Sequence, residues 1–335
     1  MKWKNKTFWT LATSLLVMAI LILDTKTAAL GAQEGIVLCL RTVIPALFPF
    51  MIISVYMTPA LTVQRFACLR PLGKAFQIPS GAENILLVGM LGGYPVGAQL
   101  VSAAREEGFL SRKTADRMLA FCSNAGPAFL FGMAGTLFSS GVTPWVLWSI
   151  HITAAWLVSL CFPGQPEPLH PPKDYHPLTV SESMRISVKT MAQVCGWVVC
   201  FRILLTFSER WYLWLLPQAV QVLFAGVLEL SNGCIALQTI SNESLRFVLC
   251  AVFLGFGGLA VAMQTVSVCN GKIGLYLPGK LMQASFSGIL AFALRPFLFC
   301  EGKFGDLLPA IFLISCIFIR KILKNSSRNP VSAGV

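Results

Sequence analysis

Between Met118 and Pro166 the chain carries no Asp, Glu, Lys or Arg, and the same holds from Asn84 to Ala104, from Trp211 to Leu228 and from Leu230 to Asn242. A soluble protein has no use for so many long uncharged runs, whereas a bilayer demands about 20 apolar residues for every helix that crosses it. The composition agrees. At 56% hydrophobic and 12% charged residues, with a mean hydropathy of +0.71, the chain stands far from the roughly 25% charged residues of soluble domains. It reads as an all-α polytopic membrane protein.

Taken in order, apolar runs predict spans near residues 8–23, 31–57, 118–139, 145–162, 187–207, 211–235, 278–299 and 306–321, about eight by the 20-residue criterion. The first follows Lys2, Lys4 and Lys6 without a convincing cleavage site, so it is expected to stay as a helix. The expected organisation is an N-terminal helix and loop (1–30), a first repeat (31–163), a Pro-rich linker (164–183), a second repeat (184–323) and a basic tail (324–335). Net charge is +12. The basic residues lie in short loops between apolar runs, the pattern that sets membrane orientation, and so do not form a nucleic-acid footprint. Fourteen of the 26 fall in the N-terminus, 58–84, 104–117 and the C-terminal 320–335, all expected to be cytoplasmic.

Two apolar segments, 85–104 and 247–269, resist a simple crossing. The first holds Gly92, Gly93, Tyr94 and Pro95 at its midpoint and is basic on both flanks. Two halves of about ten residues would each reach about 15 Å, half the hydrocarbon thickness. That predicts a re-entrant hairpin, whose tip is tolerable only where protein or water surrounds it. An ordinary span with glycines for close helix packing stays open as the alternative. At a constant offset of 165, "GGYPVGAQLVS" (92–102) matches "GGLAVAMQTVS" (257–267) at Gly92/Gly257, Gly93/Gly258, Val96/Val261, Gln99/Gln264, Val101/Val266 and Ser102/Ser267. A weaker echo pairs Arg41 and Thr42 with Lys189 and Thr190. Interrupted hydrophobic segments at corresponding places in two halves point to a secondary transporter with an inverted repeat.

Polar residues inside apolar surroundings are the candidates for function. "FCSNAGPAFLFG" carries Asn124, Gly126 and Pro127, and Pro127 would free a carbonyl for a ligand. "LPGKLMQASFSG" places Lys280, Gln283 and Ser287 on one helix face, with Lys280 either paired to a buried anion or snorkelling. Glu229, followed by Ser231, Asn232 and Gly233, is an intramembrane acid, expected to couple transport to H+ or Na+ together with Asn232, or to neutralise Lys280. The eleven cysteines include no CxxC pair and no histidine at ligand spacing, so neither a metal site nor a disulfide framework is expected. His170 and His176 lie in the linker, and His151 is expected to be packed. Without a nucleotide-binding loop or a catalytic triad, no enzyme activity and no cofactor are expected.

"GGYPVGA", the linker "REEGFLSRKTADR" with "LAFCSNAGP", and "LELSNG" resemble the YlbJ-type sporulation integral membrane proteins, of the nucleoside-recognition (Gate) group related to concentrative nucleoside transporters. The resemblance spans about residues 31–321. It implies a two-repeat, concentrative-nucleoside-transporter-like fold with paired re-entrant hairpins and a small-molecule substrate. It also implies a role in spore formation, carrying dipicolinate from the mother cell toward the forespore, in the cell membrane or outer forespore membrane of an endospore-forming bacterium. Gln99 stands where the family pattern often has a basic residue. A nucleoside carrier, or a non-transporting scaffold for cortex assembly, are the alternatives, and self-association into a homo-oligomer is left open. The expected binding set is Gly92, Gly93, Tyr94, Pro95, Gln99, Asn124, Gly126, Pro127, Gly257, Gly258, Gln264, Lys280, Gln283 and Ser287. One difficulty is that four spans between the hairpins would open both to the same side, whereas inversion needs an odd number.

Overall fold

A computed structural model of the chain describes residues 2–64, 66–164 and 177–299, with backbone alone at 2–6, 62 and 63. The expected span 306–321, the basic tail, most of the Pro-rich linker, His170 and His176 lie outside the described residues. Helix α1 (Lys2–Leu23) gives way at Asp24, whose carboxylate accepts from Thr27 N (3.3 Å) and caps α2 (Thr25–Leu38). The chain then passes through a π-helical turn, Cys39–Val43, into α3 (Ile44–Val63). Pro45 has no N–H to offer the carbonyl of Arg41, and the widened turn absorbs that misfit without ending the helix.

After α4 (Arg70–Phe76), α5 (Glu83–Gly92) and α6 (Val96–Glu106) pack against each other, so the chain reverses between them. Gly89 faces Gly97 so closely that a Cβ on Gly89 would lie 3.0 Å from the Gly97 Cα. Then follow α7 (Arg112–Met118), an unwound stretch, α8 (Pro127–Gly132), α9 (Thr143–Cys161) and α10 (Val180–Trp211). Thr179 and Glu182 close a capping box at the start of α10. Next come α11 (Gln218–Leu228) and α12 (Leu230–Ala236), which also pack on each other, with Gly233 against Gly226. The described chain ends with α13 (Glu243–Phe256), α14 (Gly258–Val268) and α15 (Tyr276–Phe299).

Five helical stretches among the described residues are long and apolar enough to cross a membrane: Thr25–Leu61, Thr143–Cys161, Val180–Trp211, Glu243–Val268 and Tyr276–Phe299. Three sequence expectations are corrected. Residues 118–139 form no continuous helix, because the stretch between α7 and α8 is unwound and Pro127 starts a new helix at its first turn. Residues 211–235 are no single span, because the chain goes extended at Glu229 (φ −149°, ψ 129°) and doubles back. Residues 247–269 do not double back. Here α13 packs on α15 and α9 while α14 packs on α10, α11 and α6, so Gly257 and Gly258 interrupt a helix rather than turn it. The match at an offset of 165 therefore pairs a reversal with a helix break. The element geometrically like the α5–α6 reversal is the α11–α12 reversal at Glu229.

Packing is close where glycines allow it. Cβ atoms on Gly31 and Gly35, one turn apart on α2, would each lie 2.8 Å from an α10 Cα, those of Ile203 and Val199. This is the small-xxx-small seam by which apolar helices approach in lipid. Glu34, between the two glycines, meets Arg202 of α10 at 2.7 Å. At one end of the bundle Arg117 donates to the carbonyls of Phe76 (2.7 Å), Gln77 (3.0 Å), Ser159 (3.1 Å) and Phe162. These are the C-terminal carbonyls of α4 and α9, where a cation meets both unsatisfied acceptors and the negative ends of two helices.

Candidate functional site

Both reversals end on helix breaks. Gly93 (φ +80°) lies against Gly126, the residue that precedes α8, and a Cβ on Gly93 would sit 3.2 Å from the Gly126 nitrogen. Glu229 lies against Gly258 (φ +84°), whose Cβ would sit 3.2 Å from the Glu229 Cα. Gly257 joins the two pairs, because a Cβ there would meet the Tyr94 ring at 3.2 Å. Two reversal tips and two helix breaks thus converge.

A cleft opens at this junction. It is narrow, with a free volume of about 30 Å³, and is lined by Tyr94 from the first tip, Ala125, Gly126 and Phe129 at the first break, and Glu229, Leu230 and Ser231 from the second tip. Val261 and Gln264 of α14 complete that side, and Val43, Leu47, Val194 and Val198 form the opposite wall. The walls are mostly apolar with few polar groups, the usual build of a small-molecule site. Helices α6, α8 and α14 all begin beside it, so their N-termini, the ends that carry partial positive charge, lie close to the cleft. The start of α12 is already neutralised. Glu229 accepts from Ser231 N (3.0 Å), Asn232 N (2.7 Å) and Asn232 Nδ2 (2.8 Å), and Asn232 in turn accepts from Arg202 (3.4 Å).

Behind Tyr94 lies a second, sealed polar cluster. Lys280, Asn124 and Gln283 have no exposed surface, and His151 is almost as deeply buried. Lys280 Nζ donates to Gln283 Oε1 (2.6 Å), to Tyr94 OH (3.3 Å) and to the carbonyl of Ser123. Gln283 Nε2 donates to Asn124 Oδ1 (2.8 Å) and to the His151 carbonyl (3.3 Å), Asn124 Nδ2 donates to Phe121 O (2.7 Å), and Ala125 N donates to His151 Nε2 (3.1 Å). The cluster thereby satisfies the unwound backbone between α7 and α8, where each unpaired group in an apolar interior would cost several kcal/mol. In a continuous helix the carbonyl of Ser123 would receive the N–H of residue 127. Pro127 has none, and Lys280 takes its place.

The structure therefore divides the expected binding set. Tyr94, Gly126, Gln264 and Glu229 line the cleft, and Gly93, Gly257 and Gly258 shape it from behind. Lys280, Gln283 and Asn124 form the sealed cluster and do not line the cleft. Ser287 lies one turn further along α15, its hydroxyl without a partner among the described residues. Gln99 lies on α6, partly exposed and outside the lining. Lys280 is not paired with Glu229, since among the described residues no carboxylate reaches it within 4.0 Å. Lining residues outside the expected set include Val43, Leu47, Val194, Val198 and Val261 on the walls and Ala125, Phe129, Leu230 and Ser231 at the breaks and tips. A signal existed in the echo of Arg41 and Thr42 by Lys189 and Thr190, just upstream of these two valine-bearing faces.

The chain is a distant relative of the YlbJ-type sporulation integral membrane proteins. It is 23% identical to the sporulation integral membrane protein YlbJ of Bacillus subtilis (strain 168) over an alignment of 316 residues, which covers 79% of this chain and 76% of the relative. No family profile matches the chain. No solved structure matches it either.

Proposed function

We propose, with that distant relationship as the premise, that this integral membrane protein is a secondary transporter whose solute binds in the cleft between the two reversal tips. The observation that carries the reading is the convergence of Gly93 on Gly126 and of Glu229 on Gly258 around one cavity. In this reading α5–α6 and α11–α12 are re-entrant hairpins, α7–α8 and α13–α14 are the broken helices on which they rest, and the two halves are inverted repeats. Tips that meet at the middle of a membrane make a site that either hairpin can uncover.

The solute class follows from the lining. Once the tips part to widen the cleft, apolar walls from Val43, Leu47, Val194, Val198 and Val261 suit a flat ring, and the uncapped helix N-termini beside it suit carboxylates. A small aromatic dicarboxylate meets both conditions, and in spore formation dipicolinate is the proposed cargo. No basic side chain lines the cleft, and Glu229 brings a negative charge, so we assign Glu229 and Asn232 the coupling of cargo movement to H+ or Na+. The test is uptake of radiolabelled dipicolinate into proteoliposomes under imposed ion gradients, with and without excess uridine or adenosine. Saturable uptake that follows one gradient, and loses that dependence in Glu229→Gln, is the expected result. Competition by nucleoside would reassign the cargo, and absence of any saturable flux would favour a non-transporting scaffold.

A further inference from the structure

The three oxygens around Lys280 Nζ are all acceptors. The Ser123 carbonyl can only accept, Gln283 spends its amide hydrogens on Asn124 and His151, and Tyr94 OH spends its own on Leu254 O (3.0 Å). Three acceptors match the three N–H bonds of the ammonium form. No carboxylate lies within 4.0 Å among the described residues. Its charge is met by oxygen dipoles and by the rings of Tyr94 and Tyr276, 5.0 and 5.9 Å away.

We infer that this nest is a monovalent-cation site which the chain fills permanently with its own lysine. A backbone carbonyl, an amide oxygen and a phenol oxygen without any carboxylate suit a singly charged ion, since hard divalent ions select carboxylates. The position explains why a cation is needed. Tyr94 belongs to the first reversal, Ser123 to the first helix break and Gln283 to α15, so one charge ties three elements whose oxygens would otherwise face one another unpaired. A tethered ammonium holds them at any salt concentration, where a free ion would come and go.

The inference does not depend on transport, and its test reads folding. Lys280→Ala removes the ammonium and leaves the oxygens, so purified variant protein should melt several degrees below wild type in choline chloride. Sodium or methylammonium chloride at the same ionic strength should restore part of the loss, in proportion to the logarithm of cation concentration. Wild type, its site already filled, should show no such response. Lys280→Met fills the space with an apolar chain and should be destabilised with no cation able to rescue it. A Lys280→Ala protein whose melting ignores cation identity, one that fails to accumulate under every cation tried, or a Lys280→Met protein as stable as wild type, would each overturn the inference.

Discussion

Gly93 and Gly258 hold φ angles of +80° and +84°, where a side chain is strained before any neighbour is considered. Neighbours add to the strain, since a Cβ at Gly93 would lie 3.1 Å from Leu47 Cδ2 and one at Gly258 would lie 3.1 Å from Leu230 N. Both positions sit where a reversal tip meets a helix break. Gly93→Leu and Gly258→Leu should therefore displace the tips and abolish flux while leaving the long helices inserted. Flux assays beside size-exclusion profiles check this, and wild-type flux in both variants would remove the tips from the mechanism. At this scale the sequence was informative, since glycine, tyrosine and glutamate stand out within uncharged runs. What it could not show was their grouping. Lys280 and Glu229 are both polar intrusions into apolar segments, yet one is sealed behind Tyr94 and the other lines the cleft, a distinction that depends on which faces of α15 and α12 meet other helices.

Elements in an apolar medium are held by shape, because lipid supplies little drive for one apolar surface to seek another. The α2–α10 seam shows this. Its glycines let the two backbones approach, and the Glu34–Arg202 pair lies between them. Gly31→Leu or Gly35→Leu would force leucine into a space a single methyl overfills, at a cost of about 1–3 kcal/mol by analogy with overpacked cores. Each should lower the melting temperature by several degrees and the double substitution by more, whereas Gly196→Leu, with nothing within 4 Å of its Cβ position, should be mild. Thermal unfolding in detergent decides it, and equal effects at all three positions would refute the seam. The long helices around 8–23, 31–57, 145–162, 187–207 and 278–299 were legible because hydrophobic length is a direct physical signal. The breaks were not. "GGYP" turns the chain and "FGGL" does not, because a glycine pair licenses unusual backbone angles without stating what the flanking helices will pack on. Glu229, read from sequence as an acid within or beside a span, is the true second reversal.

Contacts between loops sort the whole molecule into two ends. Asn270 donates to Glu106 (3.1 Å), Leu275 N to Asp116 O (3.2 Å) and Arg117 to the carbonyls of residues 76, 77, 159 and 162, so the base of the α5–α6 reversal shares one end with the α14–α15 loop. Ser139 donates to Glu243, Arg246 donates to Leu137 O (2.6 Å), and the rings of Phe247 and Phe299 meet at 5.7 Å, so the base of the α11–α12 reversal lies at the other. Three segments separate the reversals, namely the broken α7–α8 segment, α9 and α10, the last two long and apolar enough to cross a membrane. With all three crossing, as the proposed transporter requires, that odd number removes the conflict raised by counting 211–235 as a fourth crossing and would set the reversals on opposite sides, as in an inverted repeat. Charge then orients the whole. Arg70, Lys74, Arg105, Arg112, Lys113, Arg117, Arg185 and Lys272 gather at the first end, against Lys26, Arg210, Arg246 and Arg295 at the second, so the first end should face the cytoplasm. Glu107 and Ser241 are exposed at the two bases. In a background whose native cysteines are replaced, Glu107→Cys should react with a membrane-impermeant maleimide only after the cell is opened, and Ser241→Cys should react in intact cells. Labelling of both from the same side would show that the two reversals enter the membrane together, and the inverted arrangement would fall with it.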